Sequence, residues 1–136
     1  MAVLVDTNVL IDVAALDPSW HPWSREQLAL NHGNGLVINP VIFAEFSYRY
    51  DSLDEAEAAL DATQVQREHL PWEAAFAAGQ AFRVYRSLGG ARDKVMPDFL
   101  IGAHAAVRGY AILTRDPGGY RRYFPGVAVI APDTHP

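Results

Sequence analysis

Three features of the sequence predict an α/β domain. Short β-branched runs alternate with helical patterns, each run is stopped by polar or acidic residues, and the connections are brief. That alternation predicts a mostly parallel central sheet with helices on both faces, a three-layer α/β/α arrangement. At 136 residues the chain reads as one domain, 1–136, long enough to bury a core and too short for two.

The elements follow in order. Val3-Leu4-Val5 is a short apolar strand stopped by Asp6-Thr7-Asn8, after which Val9, Leu10, Val13 and Ala14 recur at helical spacing. Pro22 and Ser24 suit a helix opening near Trp23 and running through Leu28 and Leu30 to Gly33 and Gly35. Leu36-Val37-Ile38 is the second strand, and Asn39-Pro40 is a cap-then-proline start for a helix over Val41 to Tyr50. Asp54 to Ala62 is a short acidic helix, and Val65 to Leu70 is a candidate strand before Pro71. Trp72 to Leu88 is the longest helical pattern, closed by Gly89-Gly90. Pro97-Asp98 opens a helix to about Arg108, ended by Gly109. Ala111-Ile112-Leu113 is a strand stopped by Thr114-Arg115-Asp116, Pro117 to Tyr120 reads as a turn, and Val127 to Ile130 is the last strand.

Composition excludes several classes. Half the residues are hydrophobic and 20% are charged, which excludes a disordered, collagenous or coiled-coil chain. The absence of cysteine removes disulfides, thiolate metal sites and thiol nucleophiles. No apolar run approaches the ~18 residues needed to cross a bilayer, and Met1 to Asp6 lacks a basic leader, so a cytoplasmic protein with no membrane partner is expected. The net charge of −5 is unevenly spread: residues 1–80 carry 12 acids and 3 bases (−9), whereas 81–136 carry 4 acids and 8 bases (+4). Ten of the eleven bases are arginines, which favours planar contact with phosphate or carboxylate, although such residues also form ordinary solvated helix faces.

Ligands of open parallel sheets bind outside the carboxyl ends of the strands, and the residues there are acidic. Asp6 follows the first strand, Asp116 follows the strand Ala111 to Leu113, Glu45 lies on the helix after the second strand, and Asp98 sits in a first helical turn. Singly, each has a structural explanation as a cap, a dipole partner or a turn former. Together, four carboxylates at one sheet end repel one another unless a cation joins them. Without Cys or clustered His, the oxygen donors favour Mg²⁺ or Mn²⁺ over Zn²⁺. His104 shares a helix with apolar Leu100, Ile101 and Val107 and reads as a structural histidine.

The segments Val5-Asp6-Thr7-Asn8-Val9-Leu10-Ile11-Asp12, Asn39-Pro40-Val41-Ile42-Phe43-Ala44-Glu45, Pro97-Asp98-Phe99-Leu100-Ile101-Gly102-Ala103-His104-Ala105 and Leu113-Thr114-Arg115-Asp116 resemble, in order and spacing, the PIN-domain ribonucleases. From Met1 to about Ile130 the chain is similar to the VapC toxins of type II toxin–antitoxin pairs. The resemblance implies a PIN-like fold and an acidic cluster of Asp6, Glu45, Asp98 and Asp116, with Asp6 and Asp98 the most direct metal ligands. It places Thr7, Asn8 and Thr114 where polar groups orient the acids or the scissile phosphate. The implied activity is Mg²⁺- or Mn²⁺-dependent hydrolysis of RNA by activated water, leaving 5′-phosphate and 3′-hydroxyl ends. The implied partners are RNA, a VapB antitoxin and a second copy in a homodimer; the apolar stretches Trp20 to Trp23, Phe43 to Tyr50 and Trp72 to Phe82 are candidates either for those surfaces or for the core.

On that reading Arg83, Arg86, Arg92, Lys94, Arg115, Arg121 and Arg122 are candidates to hold RNA phosphates around the acids. Tyr120, Tyr123 and Phe124 are candidates for stacking on unpaired bases or for packing. A haloacid-dehalogenase-type phosphatase would need a second carboxylate two residues after Asp6, where Asn8 stands. A non-catalytic PIN-like metal- or RNA-binding module would keep the fold without hydrolysis.

Overall fold

In the computed structural model, which describes residues 1–91 and 96–136, the chain alternates strands and helices as the sequence predicts. Five parallel strands form one sheet in the order β3-β2-β1-β4-β5: β1 Val3–Val5, β2 Leu36–Ile38, β3 Gln66–Arg67, β4 Ala111–Leu113 and β5 Val129–Ile130. Every residue of β1, β2 and β4 is buried, which in a parallel sheet requires cover on both faces. The edge strands are different. β3 is polar and exposed and β5 only half-buried, and both are two residues long, so neither offers a template to another chain.

Among the described residues, seven α-helices connect the strands: α1 Thr7–Ala14, α2 His21–Asn31, α3 Pro40–Ser47, α4 Leu53–Asp61, α5 Trp72–Ser87, α6 Met96–Arg108 and α7 Gly118–Tyr123. Local chemistry starts several of them. The Asp6 carboxylate accepts from Thr7 N–H at 2.7 Å, Asn39 Oδ1 from Ile42 N–H at 2.9 Å, and Ser52 Oγ from Glu55 N–H at 3.1 Å, each satisfying a donor that the first turn leaves open. Gly109 turns α6 into β4 at φ +71°, a conformation an L side chain resists.

Several expectations change. The last strand, expected over Val127 to Ile130, is confined to Val129–Ile130. The candidate strand Val65 to Leu70 shrinks to Gln66–Arg67, because at the sheet edge only Val37 and Ile38 offer it register partners. The segment after Asp116 is a helix, α7, rather than an open turn. Tyr120 becomes its buried anchor, and Arg121 N–H bonds to the Pro117 carbonyl.

The main core packs Leu4, Leu10, Ile38, Ile42, Phe46, Ile101 and Leu113 around the sheet. A second cluster joins α5, α6 and α7. Its centre is Phe99, whose ring lies 5.2–6.2 Å from those of Phe82, Tyr85, Tyr123 and Phe124. Gly102 allows this packing: a Cβ there would stand 2.4 Å from the Phe124 ring. Tyr123 and Phe124 are therefore packing residues, half-buried in this cluster.

Candidate metal-dependent active site

The strand order reverses direction between β1 and β4, and at such a switch point the loops leaving the two strands diverge and open a crevice. Asp6 follows β1 and Thr114 follows β4, so both stand in it. The crevice is a pocket of about 410 Å³ lined by Asp6, Thr7, Asn8, Glu45, Asp98 and Asp116, together with Ile11, Tyr48, Arg49 and Tyr120. Four acids from four separate stretches of sequence thus share one cavity.

Asp6 is the fixed member. It is 6% exposed, and its Oδ2 accepts from Thr114 Oγ1 (2.8 Å), the Tyr120 hydroxyl (3.0 Å) and, at longer range, Asn8 Nδ2 (3.4 Å). Burial pushes the carboxyl up from its ordinary range; the bonds from Thr114, Tyr120 and Thr7 pull it back, and the Glu45 charge adds a smaller upward push. Burial beside Asp6 and Asp98 raises the Tyr120 phenol well above its usual value, keeping it a proton donor to Asp6. The supporting polar residues form a chain around this centre. Asn8 Nδ2 donates to Thr114 Oγ1 (3.2 Å), and Asn8 Oδ1 accepts from Arg115 N–H (3.1 Å). Thr114 Oγ1 also accepts from Asp116 N–H (3.0 Å), and Thr7 Oγ1 donates to Glu45 Oε1 (2.8 Å).

Asp98 is held differently. It meets solvent from the first turn of α6, and no hydrogen bond to it is found among the described residues. Loss of water around the carboxyl raises it to about 6, and the charges of Asp6, Glu45 and Asp116 push in the same direction. Charge repulsion of this kind is what a divalent cation relieves. Among the described residues no three His, Cys, Asp or Glu side chains are placed together as a ready-made metal-ligand set, so the four acids share the pocket without closing on one point. The donors present are carboxylate, hydroxyl and amide oxygens, the set that Mg²⁺ or Mn²⁺ prefers.

The basic candidates are scattered by the fold. Arg115 turns away from the pocket: its Nε and Nη2 bind Asp12 at 2.6 and 2.9 Å, and its guanidinium lies 5.3 Å from the Trp20 ring centroid. Asp12 is 1% exposed and also accepts from Ser24 Oγ, so a buried acid claims the arginine expected to hold phosphate. Arg121 pairs with Asp133, which leaves its fork engaged. Arg86 donates to the Gly90 carbonyl, Arg122 lies over Tyr123, and Arg83 is exposed on α5. Arg92 and Lys94 fall outside the described residues. Tyr120, a candidate for base stacking, instead has a buried ring and gives its hydroxyl to Asp6.

Three features escape sequence reasoning. Arg49, four residues after Glu45, is the only cation among the described residues lining the pocket. Its spacing of four from Glu45, in the turn just past α3, was a usable signal. Tyr48 beside it is 73% exposed. The third is a buried polar chain under α3 and α6. Asn39 spends its Oδ1 on the α3 cap, so its Nδ2 faces His104 Nδ1 at 3.0 Å; His104 therefore carries its proton on Nε2 and donates to Glu68 at 2.6 Å. The Tyr110 hydroxyl donates to the same carboxylate (2.7 Å), and the bonds from Tyr110 and His104 outweigh desolvation and hold Glu68 below its ordinary value. His104, fully buried, is thus structural and ties the helix carrying Glu45 to the helix carrying Asp98.

Comparison with known proteins bears on the family and the fold. The sequence matches no curated protein. Among solved structures the fold is similar to DNA-bound VapBC from Salmonella typhimurium (22% identity, TM-score 0.73, covering 96% of this chain and 98% of that one). It is similar also to VapBC2 from Rickettsia felis bound to a promoter DNA fragment (19%, 0.72, 96% and 98%) and to FitAcB from Neisseria gonorrhoeae (18%, 0.66, 94% and 96%). The family model of the PIN domain matches residues 3–124, from β1 through α7, and the chain belongs to the PIN domain family.

Proposed function

We propose that this chain is the toxin of a toxin–antitoxin pair and a metal-dependent endoribonuclease. The observation that carries the reading is the convergence of Asp6, Glu45, Asp98 and Asp116 on one pocket at the sheet's switch point, with Asp98 raised to about 6 by partial loss of water and by the neighbouring carboxylates. Asp6, Glu45, Asp98 and Asp116 would hold Mg²⁺ or Mn²⁺, which when bound supplies an activated water and charge stabilisation for phosphodiester hydrolysis. Thr114 and Tyr120 orient Asp6, and Thr7 orients Glu45, so the acids meet a substrate already aimed. The resemblance to PIN-domain ribonucleases implies that metal-activated water is the nucleophile and the 3′-oxygen the leaving group, giving 5′-phosphate and 3′-hydroxyl ends.

Partners follow from the surface. The described neighbours are toxin–antitoxin complexes by name, which supports a VapB-type antitoxin for this chain. An every-fourth-residue ridge on α5 and just beyond it exposes Trp72 (88%), Phe76 (70%), Val84 and Leu88, more apolar surface than a solitary domain leaves bare. It suits the antitoxin or a second copy in a homodimer. Arg83, Arg86 and Arg122 remain candidates for distant phosphate contacts. None of the described helices is long and apolar enough to cross a membrane, and a cytoplasmic site of action fits an RNA substrate.

The test is cleavage of total RNA by purified protein with Mg²⁺ or Mn²⁺, beside an EDTA control and the Asp6→Ala and Asp98→Ala variants. Metal-dependent cutting that both variants lose supports the reading. Inactive but well-folded, antitoxin-free protein on every RNA pool overturns it in favour of a non-catalytic binding module.

A further inference from the structure

The four acids set an electrostatic problem for the function proposed above, on which this inference rests. RNA brings one negative charge per nucleotide to a pocket already lined by carboxylates, so something at the rim must draw the strand in. The arginines of the C-terminal part do not line this pocket among the described residues, and two of them are committed to Asp12 and Asp133. Arg49 does line it. Its guanidinium donates to the Glu45 backbone carbonyl at 2.9 Å and lies 4.5 Å from the centroid of the Tyr48 ring. It forms no ion pair with the pocket acids among the described residues, so a fixed cation with unused N–H groups stands beside four carboxylates.

Tyr48 completes the arrangement. It follows the last residue of α3, three positions after Glu45, and leaves 73% of its surface in water at the mouth of the pocket. Burying that ring against the core would have been favourable by the same physics that buries Phe46 two residues earlier. A ring and a planar cation stacked at the edge of a phosphodiester site match one unpaired nucleotide, base against ring and phosphate against guanidinium.

We infer that Tyr48 and Arg49 form a single-nucleotide subsite next to the scissile phosphate, stacking an unpaired base and gripping its phosphate, so that the enzyme selects single-stranded RNA. Tyr48 is then a specificity-determining residue and Arg49 the local phosphate anchor.

The experiment uses the full chain in an Asp98→Asn background, which binds without cutting. Anisotropy is read with a labelled single-stranded RNA, an abasic strand of the same length, and a duplex. Tyr48→Ala weakens single-strand binding about tenfold and leaves abasic binding unchanged, whereas Tyr48→Phe binds as the parent does. Arg49→Gln weakens both single strands and lowers the slope of log affinity against log salt by about one. In the otherwise wild-type enzyme Tyr48→Ala raises KM and spares kcat. If the parent binds single-stranded RNA and both variants bind it equally well, the subsite is wrong and the nuclease reading stands. If those variants instead lose a copurified antitoxin, the pair belongs to a protein interface. If the parent prefers neither single-stranded RNA nor any RNA, the inference falls together with the reading beneath it.

Discussion

Asp6 and Asp98 line the same pocket and are both raised above the ordinary carboxyl range, yet they are built on opposite principles. Asp6 is sealed into the scaffold: it caps α1, and its two oxygens are aimed by Thr7, Thr114 and Tyr120. Asp98 faces water without a hydrogen bond among the described residues, carried on a helix whose position is fixed by the aromatic packing of Phe99 and by the His104 chain behind it. The difference separates two tasks in one site. The buried acid gives a fixed reference point and couples function to folding, whereas the open acid stores repulsion that a cation relieves.

The contrast breaks most visibly under deletion. Asp6→Ala removes an acceptor from four donors and uncaps α1, so it is expected to abolish cleavage and to cost about 2–4 kcal/mol of stability in a urea titration. Asp98→Ala abolishes cleavage with the fold and antitoxin binding intact. Equal losses of stability in the two variants would erase the distinction.

Removing Arg115 tests whether the arginines serve folding or RNA. Arg115→Ala strands the buried Asp12 carboxylate with Ser24 alone and is expected to destabilise by about 3 kcal/mol, with single-stranded RNA affinity unchanged once folding is corrected for. A large loss of RNA affinity in stable protein would restore Arg115 to the phosphate contacts.

The helix-to-helix tie ranks next. His104→Phe leaves Asn39 Nδ2 and Glu68 short of a partner and is expected to cost about 2 kcal/mol. Because α3 and α6 carry Glu45 and Asp98, Mn²⁺ affinity of the folded variant should fall as well, measured by titration calorimetry. Unchanged metal affinity would confine His104 to stability.

The smallest effect concerns pH. The Asp98 carboxyl lies at about 6 in the folded metal-free protein against an ordinary 3.8, so the folded state holds that proton more tightly than the unfolded chain does. Between pH about 4 and about 6 folded protein binds more protons, and stability therefore falls as pH rises through that window. Asp98→Asn shrinks the fall, leaving the part that the raised Asp6 carboxyl contributes, and gains about 1 kcal/mol at neutral pH after discounting for solvent screening. Thermal melts in EDTA check both, and added Mg²⁺ should restore wild-type stability. A flat pH profile in the wild type would show that Asp98 is ionised without penalty.

Much of the fold was legible because its signals are local. Val3–Val5, Leu36–Ile38 and Ala111–Leu113 are continuous apolar runs, and Asp6, Asn39-Pro40 and Gly109 mark their borders by cap and turn chemistry within a few residues. Asp6, Asp98 and Asp116 were legible for the same reason, each standing just after a strand or at a helix start, whereas Glu45, inside α3, was marked by its position on the helix after β2, and all four line one pocket. Pro117 to Tyr120 was misread because two glycines signal a turn, whereas burial of Tyr120 against Asp6 holds α7 in place.

What the sequence by itself determined is the order of strands and helices, the parallel sheet and the identity of the acids that meet at its end. Only the tertiary structure decided which charges remain available. A guanidinium binds whichever carboxylate the fold brings within reach, so Arg115 went to Asp12, 103 residues away in sequence, and Arg121 to Asp133, while Arg49 was left at the pocket rim. Pairing between distant side chains depends on separation in space, and the pattern of neighbouring residues carries no record of it.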